Sequence, residues 1–107
     1  MSRIAEYGRD IRSGRRTCVE LVERTLEAAA SSDAFVELLP EDARRQARNA
    51  DSELTEGIDR GPLHGIPFAV KDNTDVAASW TRCGTPAFGH HWAQEDATVV
   101  ERLRAAN

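Results

Sequence analysis

Residues 61–73 read GPLHGIPFAVKDN, and the rest of the chain takes its meaning from this stretch. Gly61-Pro62 and Gly65 punctuate a tight approach. Ile66, Phe68 and Val70 then alternate with Pro67 and Ala69 in a short, wholly apolar run, which predicts a strand buried on both faces. Pro67 has no N–H to give to a ladder, so it belongs at the strand's start or on an edge. The run stops at Lys71-Asp72-Asn73, three polar residues. In open α/β sheets ligands gather beyond the carboxyl ends of strands, so a lysine there is placed for chemistry. The spacing Gly61-x-x-x-Gly65 lacks the lysine and hydroxyl residue that follow in a phosphate loop.

Lys71 is the only lysine, against 13 arginines. On position alone, a lysine at a strand's end more often reaches into solvent than reacts. Composition shifts that balance. Where a bare positive charge suffices, this chain uses arginine, which stays charged; a desolvated lysine loses its proton near neutral pH and acts as a base.

With 107 residues the chain makes at most one small domain, and 30% charged with 40% apolar residues fits a soluble globular class. The net charge is -4, with 10 basic and 13 acidic groups in residues 1–60 and 4 and 5 in residues 61–107. Neither half is basic, so no nucleic-acid footprint is visible. No run approaches the ~18 apolar residues of a membrane span. The N-terminus has no apolar h-region of a secretory signal. Cys18 and Cys83, far apart and in dissimilar contexts, read as reduced thiols of a cytoplasmic protein. Cys18 lies on an apolar helix face and reads as packed; Cys83, beside Gly84, is the better reactive thiol. His64, His90 and His91 lack the spacing that places metal ligands on one face, so no metal and no cofactor is implied.

Four helices are predicted. Ile4, Tyr7 and Ile11 have helical spacing, weakened by Gly8 and ended by Ser13-Gly14. Thr17-x-x-Glu20 is a capping box opening a helix whose stripe is Cys18, Leu21, Val22, Thr25, Leu26 and Ala29. Pro40 suits a first helical position, Glu41 and Asp42 sit near the positive dipole end, and Ala43, Ala47, Ala50 and Leu54 make a slim packing face closed by Gly57. Asp96 is placed to cap a last helix with Val99, Val100 and Leu103 inward. The run Ala34–Leu39 reads as a second strand. Asn73–Gly89 reads as a long structured loop, and Trp80 and Trp92 read as packing rather than binding.

The TCVELVERTLEAA segment at 17–29, AFVEL, the alanine-rich helix, GPLHGIPFAVKDN, DV at 75–76, TRCGTPAF at 81–88 and DATVVERLRAA at 96–106 together resemble the amidase signature family. These hydrolases include bacterial amidases, allophanate hydrolases and the glutaminase subunit of aminoacyl-tRNA amidotransferases. The resemblance covers nearly the whole chain and implies an α/β fold: the N-terminal part of the amidase signature fold, with helices packed on a few strands of an incomplete mixed sheet. It makes residues 1–107 a partial amidase domain.

It also implies a Ser–Ser–Lys mechanism on carbon–nitrogen amide bonds. The lysine of the family's VKD motif deprotonates a bridging serine, which activates a nucleophilic serine; that base falls on Lys71. Such a hydroxyl is a weak nucleophile until a base takes its proton. Asp72 would oppose the base if it faced the amine, so it is expected to turn away as an acceptor for backbone or loop donors. The chain departs from the family at the serines: Ser2, Ser13, Ser31, Ser32, Ser52 and Ser79 are all it has, and none stands in a Gly-Ser-Ser-Gly context. The resemblance therefore implies one catalytic group of three, a chain inactive alone, and a small-molecule amide substrate once the missing region is supplied. It implies self-association or a complementing C-terminal chain, with no nucleic acid or membrane partner. The alternative from another class is a non-catalytic interaction or oligomerisation module, and a third is a metabolite-binding domain using Asn73–Gly89. The substrate-binding residues are unassigned.

Overall fold

The computed structural model describes residues 2–107. These form four α-helices, a short 3-10 turn and a two-stranded antiparallel sheet. The chain divides into two compact units, one taking the chain up to Pro67 together with Ala106–Asn107, the other Phe68–Ala105.

The first unit is a helical assembly. α1 (Arg3–Arg12) is capped by the Ser2 hydroxyl, which accepts the Ala5 N–H. α2 (Cys18–Ala30) starts at the capping box read from the sequence: Thr17 accepts the Glu20 N–H and Glu20 accepts the Thr17 N–H, each at 3.0 Å. α3 (Pro40–Thr55) begins with Pro40 at the position where a missing N–H costs nothing. The predicted apolar stripes meet here. Ile11, Cys18, Leu21, Val22, Ala47, Ala50 and Ile66 form one buried cluster, with Tyr7, Val19, Leu26, Ala43 and Leu54 packed against it. The small alanine face of α3 lets α2 come close, and Arg44 bridges them through Glu23 at 2.6 Å.

A second tie between these helices was not legible. Asp51 of α3 accepts the Cys18 N–H at 2.8 Å and the Val19 N–H at 3.1 Å. Those are two of the four orphan donors at the start of α2, so the helix is capped from a residue 33 positions later as well as by Thr17.

The second unit is built around β1 (Trp80–Thr81) and β2 (His91–Trp92), which pair antiparallel with Trp80 opposite Trp92 and Thr81 opposite His91. Ala78 N–H to Ala93 O and Ala93 N–H to Ser79 O, each 2.9 Å, extend the pairing. Between the strands, the 3-10 turn Pro86–Phe88 is capped by Thr85 and closed by Gly89 in the left-handed region. α4 (Thr98–Ala106) follows.

Several expectations change. Ile66–Val70 has no regular secondary structure and is not a strand buried on both faces: among the described residues no strand lies beside it, Pro67 withholds an N–H, and Phe68 and Ala69 are exposed. A segment with no neighbouring strand has no ladder to join, whatever its apolar pattern. Ala34–Leu39 forms no strand either, and Val36 is 67% exposed. Of the strands that do form, Trp80–Thr81 lies in the stretch 73–89 read as loop and His91–Trp92 just beyond it, because their pairing depends on the turn between them and not on apolar alternation. The expected mixture of helices and a small sheet is present, and the described sheet has two strands. Finally, Asp96 does not cap α4; its Oδ1 accepts the Ala77 N–H at 2.7 Å and its Oδ2 meets Arg104 at 2.9 Å. Val100 is buried as expected, but Val99 is exposed.

Candidate functional site

The GPLHGIPFAVKDN motif crosses from one unit to the other at Pro67, so its halves are taken in turn. The first half is a fastened turn. Arg12 reaches from α1 to clasp Asp59 with two bonds, Nε to Oδ2 at 2.7 Å and Nη2 to Oδ1 at 2.8 Å, and Nη2 also donates to Gly61 O at 2.7 Å. This fork holds the Asp59 carboxyl well below the usual carboxylate range, helped by the Gly61 N–H. On the neighbouring residue, Arg60 makes a paired contact with Glu53 at 2.7 and 2.8 Å. The turn itself closes through His64 N–H to Gly61 O and Ile66 N–H to Leu63 O, each 3.0 Å.

His64, which reads as unremarkable in sequence, is the largest fully buried side chain of the described residues. Its Nδ1 accepts the Arg60 N–H at 3.1 Å, and its Nε2 lies 3.0 Å from Ala50 O. An acceptor at one nitrogen and a carbonyl at the other define the neutral ring with its proton on Nε2. His64 thus ties the motif to α3 and is spent on structure. Gly65 fits beneath it at φ +74, against Cys18 and Ala50; a side chain there would overlap the Cys18 sulfur. Burial pushes the Cys18 thiol up to about 12, reinforced by the neighbouring Asp51 carboxylate. Cys18 is therefore an inert packing group, as its place on the helix stripe implied.

The second half carries Lys71. It is exposed and follows an irregular segment instead of ending a strand. Residues 71–74 form a turn, with Thr74 N–H to Lys71 O at 3.0 Å. No ion pair or side-chain hydrogen bond holds the Lys71 amine among the described residues. Asp72 turns its carboxylate to backbone, as anticipated: Oδ1 accepts the Arg82 N–H at 3.2 Å. Its Oδ2 is buried without a partner among the described residues. Asp75 accepts the Thr81 hydroxyl at 2.7 Å and lies 3.6 Å from His91 Nε2. Trp80 and Trp92 pack edge to face across the strand pair, with centroids 5.1 Å apart, yet each stays 42–43% exposed, so they pack on one another and not into a core. Cys83, half-buried, sits at φ +54. None of the six serines stands beside Lys71 in sequence, and the buried Ser79 donates its hydroxyl to Val76 O at 2.7 Å. Among the described residues no group of histidine, cysteine or carboxylate side chains has the arrangement of a metal site, and no helix is long and apolar enough to cross a membrane.

The motif's first half is therefore fastened within the helical unit, and its second half bears an exposed amine. Comparison with known proteins gives it a class. The amidase family model matches residues 17–107. A mitochondrial glutamyl-tRNA(Gln) amidotransferase subunit of Ixodes scapularis is 39% identical over 88 residues, 82% of this chain and 17% of that protein. A putative amidase, AmiD, of Mycobacterium bovis is 38% identical over 100 residues, 90% of this chain and 21% of that one. Among solved structures, the native peptide amidase of Stenotrophomonas maltophilia superimposes with a TM-score of 0.86 at 33% identity, over 97% of this chain and 22% of its own. The chain belongs to the amidase family. It spans about a fifth of the length of the curated relatives it matches.

Proposed function

We propose that this chain contributes the base-bearing segment of an amide hydrolase of the Ser–Ser–Lys type, with Lys71 as the base. What supports the reading is the intact GPLHGIPFAVKDN motif within a family match running from residue 17 to 107. In this reading Lys71 takes a proton from a serine hydroxyl, that serine activates a second one, and the second attacks an amide carbonyl. The leaving amine or ammonia departs, and water cleaves the acyl-enzyme. Only the lysine is assigned to this chain; both serines and the oxyanion donors come from residues beyond it. An exposed amine is a poor base in water, so catalysis in this reading requires Lys71 to be covered when the remaining fold is in place. The substrate is an amide, and the partner is either the rest of an amidase fold or a second copy of this chain. The chain acts without cofactor, in the cytoplasm.

A second reading, an interaction module that has kept the amidase fold and lost its chemistry, is favoured by one observation: the Lys71 amine is exposed and unpaired among the described residues. One experiment separates the two. The chain is mixed with a fragment of a related amidase carrying the Gly/Ser-rich region, and ammonia release from simple amides is followed. The amidase reading expects no turnover by the chain alone, turnover on mixing, and a loss of about a hundredfold or more with Lys71→Met. Turnover on mixing that ignores Lys71→Met, or amide hydrolysis by the pure chain, would refute it.

A further inference from the structure

The loop after Lys71 is closed on itself by Asp72. Asp72 grips the chain ten and eleven residues on with side chain and backbone: its Oδ1 accepts the Arg82 N–H at 3.2 Å and its carbonyl accepts the Cys83 N–H at 2.9 Å. Two consecutive amides are thus held by one residue. The far end of this clip is strained. Cys83 has φ +54, a region non-glycine residues seldom occupy. Such a conformation persists only where its neighbours over-determine it. At the near end, Lys71 O accepts the Thr74 N–H, so the turn that presents the lysine begins at the residue before the clip.

We infer that Asp72 is the positioning residue of the Lys71 turn, acting through its double hold on Arg82 and Cys83. Its consequence for catalysis rests on the reading of Lys71 as the base, but the clip is testable in the chain by itself, without any amidase assay. Failure of the clip and failure of the catalytic reading are therefore separate results. Asp72 Oδ2 has no hydrogen bond to lose among the described residues, so Asp72→Asn preserves the Oδ1 acceptor and is the conservative variant. Asp72→Ala removes it.

The test is residue-resolved amide hydrogen exchange on the full chain, with Ala93 as the internal reference, since its N–H is bonded to Ser79 O, outside the clip. In Asp72→Ala, exchange at Thr74 and Arg82 is expected to accelerate by about tenfold or more, while Cys83, whose N–H is bonded to the retained Asp72 carbonyl, and Ala93 change by less than about twofold. The Lys71 side-chain resonances should shift in the same variant, and Asp72→Asn should restore both protection and resonances. Unchanged exchange at Arg82 and Thr74, no recovery in Asp72→Asn, or parallel acceleration at Ala93 overturns the proposal; the last would mean that Asp72 merely holds the unit together. Should Asp72→Ala fail to fold, Asp72→Glu replaces it. Its longer arm displaces the side-chain acceptor and keeps the backbone bond, so Arg82 is expected to lose protection and Cys83 to keep it. Retained protection at Arg82 overturns the proposal.

Discussion

Gly65→Ala is expected to be among the costliest single-methyl changes in the first unit. Two separate terms add. At φ +74 an L side chain carries a backbone penalty of about 1–2 kcal/mol. The new Cβ would also stand 2.3 Å from Cys18 Sγ and 3.3 Å from Cys18 Cβ, well inside contact distance. Cys18 cannot step aside freely, because it is fully buried and its own N–H is held by Asp51 at 2.8 Å. Overpacking of a tight core costs roughly 1–3 kcal/mol. Together the change should remove about 2–5 kcal/mol, a large share of the ~5–15 kcal/mol by which small domains are stable. Urea or thermal unfolding followed by far-UV circular dichroism reads α1 to α3 directly. At about 4–8 °C per kcal/mol, the melting temperature should fall by on the order of 10 °C or more. The diagnostic arm is the double variant with Cys18→Ala, which removes the clashing sulfur. Cys18→Ala alone should destabilise by about 1 kcal/mol, yet in the Gly65→Ala background it should recover about 1–2 kcal/mol. A Gly65→Ala protein within about 1 kcal/mol of the parent, or costs that simply add in the double variant, would refute the reasoning.

Asp51→Ala removes the carboxylate that accepts the Cys18 and Val19 N–H groups at the start of α2 and should cost about 1–3 kcal/mol, more than Thr17→Ala at about 1 kcal/mol, measured by the same unfolding curves. A cost of Asp51→Ala below about 0.5 kcal/mol would argue that the tertiary cap is idle. With reagents that attack thiolates at mildly alkaline pH, Cys83 should be labelled in the folded chain and Cys18 only on unfolding, because the Cys18 thiol is pushed up to about 12. Since that value lies above the unfolded one, Cys18 stabilises the fold below about pH 8.5, and its contribution is lost as pH rises toward its folded value. The opposite holds for Asp59, Glu23 and Glu53, whose carboxyls are held low by hydrogen bonds from Arg12, Arg44 and Arg60. Their contribution is present above about pH 4 and drains away as pH falls through the depressed values, so the melting temperature should drop in that acid range. Arg12→Ala should flatten the part due to Asp59; an acid limb unchanged in that variant would sink the assignment.

How much was readable depended on how far each interaction reached along the chain. The four helices were legible because their signals are local: a capping box between Thr17 and Glu20, a proline at a helix start, a glycine after its end, apolar residues every third or fourth place. The packing of Cys18 followed from the same stripe, and family membership from an unbroken motif. The paired strands were not legible, since Trp80–Thr81 finds His91–Trp92 only through the turn at 85–89, while the more strand-like Ile66–Val70 has no neighbour to pair with among the described residues. Nothing in the letters marked Asp51 as the cap of a helix 33 residues earlier, His64 as a buried tie from Arg60 to Ala50, or Arg12 as the clasp on Asp59. By itself the sequence determined where helices begin and end and which faces are apolar, because those properties are set by neighbours a turn away. Which polar groups are consumed in holding the motif, and which amine is left exposed, was decided by the tertiary structure alone, because a hydrogen bond is assigned only when folding brings its two ends together.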